Sequence, residues 1–390
     1  MAYIIKNTFL LFLSIFFSLK LYSQDQIITG ADQHNLYLPI LKNKKVGIVA
    51  HKATRLYLNN NRHLVDFLLE KKIEVIKIFA PEHGFYGSTF DQNIEEDSLD
   101  TATGLSIISL YGKSKKPTPD HLKNVDIVVF DLQDVGARFY TFLSTLHYVM
   151  QACAEEKIPM IILDRPNPNG HYVDGPVLEM EFKSFVGMHP IPIVHGMTLG
   201  EYAQMINGEN WLGNNLKCDI TIIPVKNYTH KKKYKLPVRP SPNLPNSQSI
   251  YLYPSLCLLE RTKISIGRGT EKQFQIYGHP NFPKSNFSFI PQSNFGSKNP
   301  KWKGQICNGL SLENINPPNH LNLSWIIDAY KKLPKDLPFF LDGFERIAGT
   351  DLLRVQIENY TPIEEIRKSW EPELEKFKVK RKKYLIYPDY

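Results

Sequence analysis

Cysteine is scarce in this chain. The four present, at positions 153, 218, 257 and 307 of 390 residues, are far apart and form no Cys-x-x-Cys pair. Zinc-ligand spacing and a thioredoxin-type motif are therefore absent, and no metal or other cofactor is expected. Cys153 falls in a helical apolar stripe and reads as a buried small residue. No Gly-x-Gly-x-x-Gly follows a strand pattern, so nothing marks a dinucleotide site. There is no Walker loop, no Gly-x-Ser-x-Gly and no His-Glu-x-x-His. The longest apolar run, Phe9–Leu19, is shorter than the roughly 20 residues a membrane span needs. Internal repeats and low-complexity tracts are lacking too.

That run has a different meaning. With Lys6 before it and Leu-Tyr-Ser after it, Met1–Ser23 has the pattern of a secretory signal. The protein is expected to be exported, periplasmic or secreted, without stable membrane insertion after signal removal. No Cys near the cleavage point suggests a lipid anchor. The rest of the chain exceeds one typical core, which ends at about 250–300 residues, so two domains are expected, over 40–245 and 246–390. The formal charge is +8, densest in Lys231–Lys235 and Lys378–Lys383. Such runs are usually solvated faces; they can also attract an anionic polymer such as wall glycan. No nucleic-acid motif accompanies them, and nucleic acid is not expected as a partner.

Lys45–Ala50 reads as a first strand, Leu64–Lys72 as a helix and Val75–Phe79 as a second strand. Asp91–Thr103 reads as an acidic loop and Leu105–Leu110 as a possible strand. Asp126–Phe130 and Met160–Leu163 are buried strands flanking a helix over Tyr140–Glu156. Strands alternating with helices predict an α/β fold, a Rossmann-like, mostly parallel sheet, followed by a smaller α+β domain. Thr198–Glu201 has capping-box spacing, so Glu201 reads as a helix cap rather than a catalyst. Lys226–Pro254 reads as a linker and Pro280–Pro318 as long loops. Ser324–Leu333 and Pro362–Trp370 read as helices, and Tyr384–Tyr387 as a docked strand or packed turn.

Three of the strands end alike. Val75–Phe79 runs into Ala80-Pro81-Glu82-His83-Gly84. Asp126–Phe130 runs into Asp131-Leu132-Gln133-Asp134-Val135-Gly136-Ala137-Arg138-Phe139-Tyr140, and Met160–Leu163 into Asp164-Arg165-Pro166-Asn167-Pro168. In a parallel sheet these loops share one edge, where ligands bind. His195, at the end of Pro190–Val194, is either a ligand contact or a buried core histidine. Arg268, between Gly267 and Gly269, either approaches a ligand or sits in a plain tight turn.

Together with His195-Gly196-Met197-Thr198-Leu199-Gly200-Glu201, Ser241-Pro242-Asn243-Leu244-Pro245, Gly267-Arg268-Gly269-Thr270, Ala348-Gly349-Thr350-Asp351 and Ser369-Trp370-Glu371-Pro372-Glu373-Leu374, these segments resemble the exo-β-N-acetylmuramidase family NamZ. The resemblance runs from about Lys45 to Tyr387. It implies a Rossmann-like domain, a smaller C-terminal domain and an active site in the cleft between them. It also implies release of terminal N-acetylmuramic acid from the non-reducing end of a peptidoglycan-derived muropeptide or disaccharide. The catalytic glutamate it implies is Glu82. The chain departs from the family pattern in two places: the pattern has Gly-Thr after a Glu where this chain has Arg261 after Glu260, and it has a Pro near Gln273 where this chain has none.

Glycoside hydrolysis needs an acid for the leaving oxygen and a second group that activates water or stabilises the oxocarbenium ion. Glu82, partly desolvated by Phe79 and Phe85, is the expected general acid, and His83 could share the proton work. Asp131, Asp134 and Asp164 are candidates for the second carboxylate, Asp134 first; the substrate's acetamido group could serve instead. The lactyl carboxylate calls for an arginine fork, from Arg138, Arg165 or Arg268, although Arg165 could equally be a structural ion pair. Tyr140 could stack on the sugar or belong to the core. Gln133, Asn167, His195 and Asn243 complete the polar groups expected to contact substrate. A non-catalytic wall-glycan binder is the alternative. An ester or amide hydrolase is disfavoured, because no Ser or Cys nucleophile is placed beside a His.

Overall fold

A computed structural model describes residues 26–87 and 97–390. The expected signal segment lies outside the described residues, as does the first part of the acidic loop. Helix α1 (His34–Leu41) precedes strand β1 (Lys45–Ala50), helix α2 (Leu64–Glu70) and strand β2 (Glu74–Ala80). Strands β3 (Ser98–Leu99), β4 (Ser106–Ser109) and β5 (Ile127–Asp131) follow, then helix α3 (Phe142–Glu155) and strand β6 (Met160–Leu163). A small antiparallel pair, β7 (Asp174–Val177) and β8 (Pro192–Val194), leads to helix α4 (Leu199–Gly208) and strand β9 (Ile220–Ile223).

The large sheet has seven strands in the order β9-β6-β5-β1-β2-β4-β3. All neighbours are parallel except β3 against β4. Both faces are covered, as a parallel sheet requires. Val49, Phe79, Val128, Phe130 and Ile162 pack on one side with α3 and α4. Their strand neighbours Ile48, Ile78, Val129 and Ile161 pack on the other with α1 and α2. The period-two alternation thus buries every residue of β5. The strand order reverses between β1 and β5, so the carboxyl ends of these strands mark the crevice of the sheet.

The smaller C-terminal part begins with helix α5 (Ser247–Leu256). Its three-stranded antiparallel sheet comprises β10 (Ile276–His279), β11 (Ser288–Phe289) and β12 (Cys307–Ser311), with β12 central. Helices α6 (Ser324–Lys332), α7 (Phe344–Ala348), α8 (Leu352–Glu358) and α9 (Ile363–Arg381) follow. No helix among the described residues is long and apolar enough to cross a membrane.

Three expectations are corrected here. The end of the expected linker is helical, because Asn246 forms a capping box with Ser249 and starts α5. The Pro280–Pro318 region carries β11 and β12. Helix α9 does not stop before Pro372 but runs through it to Arg381. Ile366, Trp370, Leu374 and Phe377 are all buried along one face, and this burial outweighs the roughly 3 kcal/mol an internal proline costs. The basic run that ends α9 is partnered: Lys378 pairs with Glu375, Lys380 with Glu209 and Arg381 with Asp389. The four cysteines are free and buried.

Candidate active site

Strand β2 delivers its last apolar residues to the core and then turns. The Gly84 N–H donates to the Pro81 carbonyl at 2.9 Å. His83 and Gly84 both take left-handed backbone conformations, each with φ of 70°, an uncommon state for a histidine and one that clusters at functional sites. At Gly87, also left-handed, a Cβ would press on Lys52 and His51. The turn leaves Glu82 and His83 half-buried at the sheet edge. The Thr141 hydroxyl, at the start of α3, donates to Glu82 Oε2 at 2.5 Å.

Glu82 and His83 line a cavity of about 480 Å³ whose other wall comes from the C-terminal part. Tyr140, Asn243, Glu260 and Arg268 line it as well. The aromatic faces around it form a connected set: Tyr253 lies edge-on to Phe139 at 5.3 Å and to Phe274 at 4.9 Å, and Tyr140 edge-on to Tyr253 at 6.2 Å. Phe79 and Phe85, which flank the Glu82 turn in sequence, point elsewhere: Phe79 into the sheet core and Phe85 against His63.

Glu260 is a second carboxylate in the same cavity; the sequence marked it only as the residue before the family departure at Arg261 and gave it no role. It accepts from Arg268 Nε at 2.9 Å. Burial opposes its charge, but Arg268 and Lys301 outweigh burial and hold its carboxyl below the usual range. Lys301 fixes this segment by donating to the carbonyls of Glu260 and Thr262, each at 2.8 Å. Asn243 is almost wholly buried. Its amide NH2 donates to the Gly296 carbonyl at 2.8 Å, while its Oδ1 has no partner among the described residues.

The structure therefore brings Glu82, His83, Tyr140, Asn243 and Arg268 to one cavity. The remaining motif residues lie beneath it as buried scaffold. Arg165 makes two hydrogen bonds to Asp131, at 2.5 and 2.8 Å, and one to the Arg55 carbonyl. Burial opposes the charge on Arg165, but Asp131 outweighs it and keeps the guanidinium protonated. Asp131 is the last residue of β5, so this pair lies at the carboxyl edge of the sheet. Arg138 spreads over four carbonyls, those of Pro176, Ile191, Ile347 and Ala348, at 2.8 to 2.9 Å.

Asp164 accepts from Thr198 Oγ1, the Gly200 N–H and Tyr387 Oη at 2.7, 2.9 and 2.5 Å. Burial nonetheless pushes its carboxyl up to about 6. Asp134 accepts from the Gly136 N–H at 2.6 Å and lies 3.6 Å from the buried His195. Asn167 holds the Met197 carbonyl, and Gln133 those of Asp134 and Pro166. Glu201 closes the capping box with Thr198 and also pairs with His230 at 2.9 Å. Among the described residues no group of three or more His, Cys, Asp or Glu could hold a metal ion.

A cavity with a carboxylate on each wall, aromatic faces between them and an arginine beside one acid has the chemistry of a carbohydrate site. The comparisons with known proteins agree. The chain belongs to the exo-beta-N-acetylmuramidase NamZ family: the family's N-terminal model matches residues 46–248 and its C-terminal model residues 251–387. It is 40% identical over 375 residues to the peptidoglycan beta-N-acetylmuramidase NamZ of Bacillus subtilis, covering 90% of this chain and 89% of that one. The crystal structure of a DUF1343 family protein from Bacteroides fragilis is similar at a TM-score of 0.86 with 48% identity, covering 94% of this chain and all of the other. A second DUF1343 structure from the same organism gives a TM-score of 0.77 at 25% identity, covering 93% of this chain and 99% of the other.

Proposed function

We propose that this chain is an exo-acting glycoside hydrolase that releases terminal N-acetylmuramic acid from the non-reducing end of peptidoglycan fragments. The broader class, a peptidoglycan glycosidase, follows from the family. The observation that carries the finer reading is the placement of Glu82 across one cavity from Glu260 and Arg268.

Glu82 is the general acid in this reading. Thr141 engages Oε2 of Glu82, which orients the carboxyl so that its other oxygen can present a proton to the glycosidic oxygen. Glu260, held ionised by its cationic neighbours, is the cavity's second carboxylate among the described residues and the candidate to stabilise positive charge at the anomeric carbon. Of the three arginines weighed for the lactyl carboxylate, Arg268 alone lines the cavity; Arg138 and Arg165 are committed to the interior. Asn243 Oδ1 is an acceptor suited to the acetamido N–H or a sugar hydroxyl. The protein works after export, in the periplasm or outside the cell. An N-terminal sequence of the mature protein beginning near Gln24 would support that location, and an uncleaved N-terminus would count against it.

Release of the chromophore from an aryl N-acetylmuraminide tests the activity. The wild type is expected to turn it over, and Glu82→Gln to lose about two to four orders of magnitude in kcat. Unchanged turnover by Glu82→Gln would remove Glu82 from the acid role. Binding without turnover at any pH would point to a glycan-binding protein instead.

A further inference from the structure

A second cavity of about 580 Å³ adjoins the candidate active site. The two are neighbours, because Phe185, Val186, Arg261 and Ile347 line both. The first cavity sets Glu82 and Glu260 among Arg261, Arg268 and Lys301, and the second has the larger cationic excess. Lys115, Arg261 and Arg346 line it against one acid, Asp342. No ion pair of Arg261, Arg346 or Lys115 is found among the described residues. Lys115 instead lies over the Phe185 ring, 4.9 Å from its centre. Phe185 is itself fixed, since its carbonyl accepts from the Ser144 hydroxyl at 2.7 Å.

Three cations around an open cavity repel one another, and that cost is relieved when an anion enters. Arginine suits a carboxylate better than lysine does, because its fork binds both oxygens. A substrate whose terminal sugar sits beside Glu82 must send the rest of its length somewhere, and this cavity is the adjoining space. We infer that the cavity is a subsite for a carboxylate carried by the substrate beyond its terminal N-acetylmuramic acid. Two parts of a peptidoglycan fragment offer that chemistry: the lactyl group of the next N-acetylmuramic acid along the strand, and the carboxylates of a stem peptide. The inference rests on the glycosidase reading above. Arg346 and Lys115 line this second cavity alone, so they can be altered without touching the first.

The test compares wild type, Arg346→Ala and Lys115→Ala on four substrates. These are the aryl N-acetylmuraminide, a stem-free disaccharide, a stem-free tetrasaccharide and a disaccharide bearing a stem peptide. Each substitution is expected to lower kcat/KM about tenfold, mainly through KM, on at least one of the two extended substrates. Turnover of the other two should stay within about twofold of wild type. Which extended substrate responds identifies the source of the carboxylate. Equal losses on all four substrates, or no loss on any, would overturn the subsite. Loss of all aryl turnover in the wild type would instead overturn the glycosidase reading. In that case the affinities of the same extended ligands for wild type and Arg346→Ala still decide the subsite: a weaker affinity in the variant supports it and an equal affinity overturns it.

Discussion

Replacing Arg138 by lysine tests whether this residue is an interior clasp or a substrate contact. The guanidinium is buried and carries no carboxylate partner among the described residues. It donates instead to two carbonyls beside the β7–β8 pair, those of Pro176 and Ile191, and to two at the end of α7, those of Ile347 and Ala348. It therefore ties the sheet-bearing part to the C-terminal part. Gly349 is shaped to this role: it is left-handed at φ 86°, and a Cβ there would collide with the guanidinium. An ammonium on a flexible stem lacks the fork needed to serve four acceptors on two segments. With two buried carbonyls left without a donor, at about 1–3 kcal/mol each, the variant is expected to lose on the order of 3 kcal/mol. Urea unfolding followed by both tryptophan fluorescence and circular dichroism reads this as a lower midpoint. KM for the aryl N-acetylmuraminide in the folded variant should be unchanged. An unaltered urea midpoint together with a large rise in KM would refute the clasp and return Arg138 to substrate recognition.

Asn243→Ala removes an acceptor with no partner among the described residues and is expected to lower kcat/KM about tenfold, at a stability cost near 1 kcal/mol from the lost contact to Gly296; unchanged kinetics would show that the amide faces no substrate. Asp131→Asn leaves the Arg165 charge buried without its counter-ion and should cost about 3–5 kcal/mol in chemical denaturation, whereas a cost below 1 kcal/mol would mean the pair is not the support described. Acid should destabilise the fold between pH 6.5 and 4. Burial lowers His51 to about 3 and His63 and His147 to about 4, so these side chains stay neutral in the folded state and take up protons on unfolding. Asp164 opposes them, because its folded value near 6 lies above the unfolded one and its contribution improves as pH falls. Burial also lowers His171, His189 and His279 and raises Asp131, so six histidines against two aspartates leave a net loss on the order of a few kcal/mol, and a urea midpoint that rises on acidification would contradict this accounting. The four cysteines should resist a thiol reagent in the native protein and react on unfolding, since all are buried.

The parallel sheet was readable because its strands are nearly continuous apolar runs and its helices carry a 3.6-residue stripe. The capping box at Thr198 was readable for the same local reason. What could not be read was where buried polar residues point. Asp131, Asp164 and Arg165 stand in the most polar loops, yet their partners are one another, Thr198 and Tyr387, contacts made by residues up to 223 positions away. Polarity at a strand end marks an edge, but whether the group faces ligand or seals the crevice depends on the tertiary fold. Glu260 illustrates the converse. It sits in a short turn, Cys257–Arg261, where the sequence marked only the departure at Arg261, and it becomes a candidate only when Arg268 and Glu82 are seen around the same space. Helix α9 was misread at Pro372 because a local breaker was outweighed by a buried face that only the folded structure supplies.

Asp164, at the end of β6, receives a hydrogen bond from Tyr387, and Glu201 receives others from the Ile386 and Tyr387 backbone. During synthesis the carboxyl ends of the sheet are thus complete long before the last of their hydrogen-bond donors exist. The ribosome must add 223 more residues between the two partners, at about 5–20 residues per second. For many seconds Asp164 has Thr198 and Gly200 but not Tyr387, and Glu201 has Thr198 and His230 but not the 386–387 backbone, and the nascent sheet should remain loosely assembled. Final consolidation is then governed by docking of the 384–389 segment rather than by formation of the sheet itself. A ribosome-stalled chain ending before Tyr384 should be cut rapidly by protease, and one exposing residue 389 beyond the exit tunnel should resist.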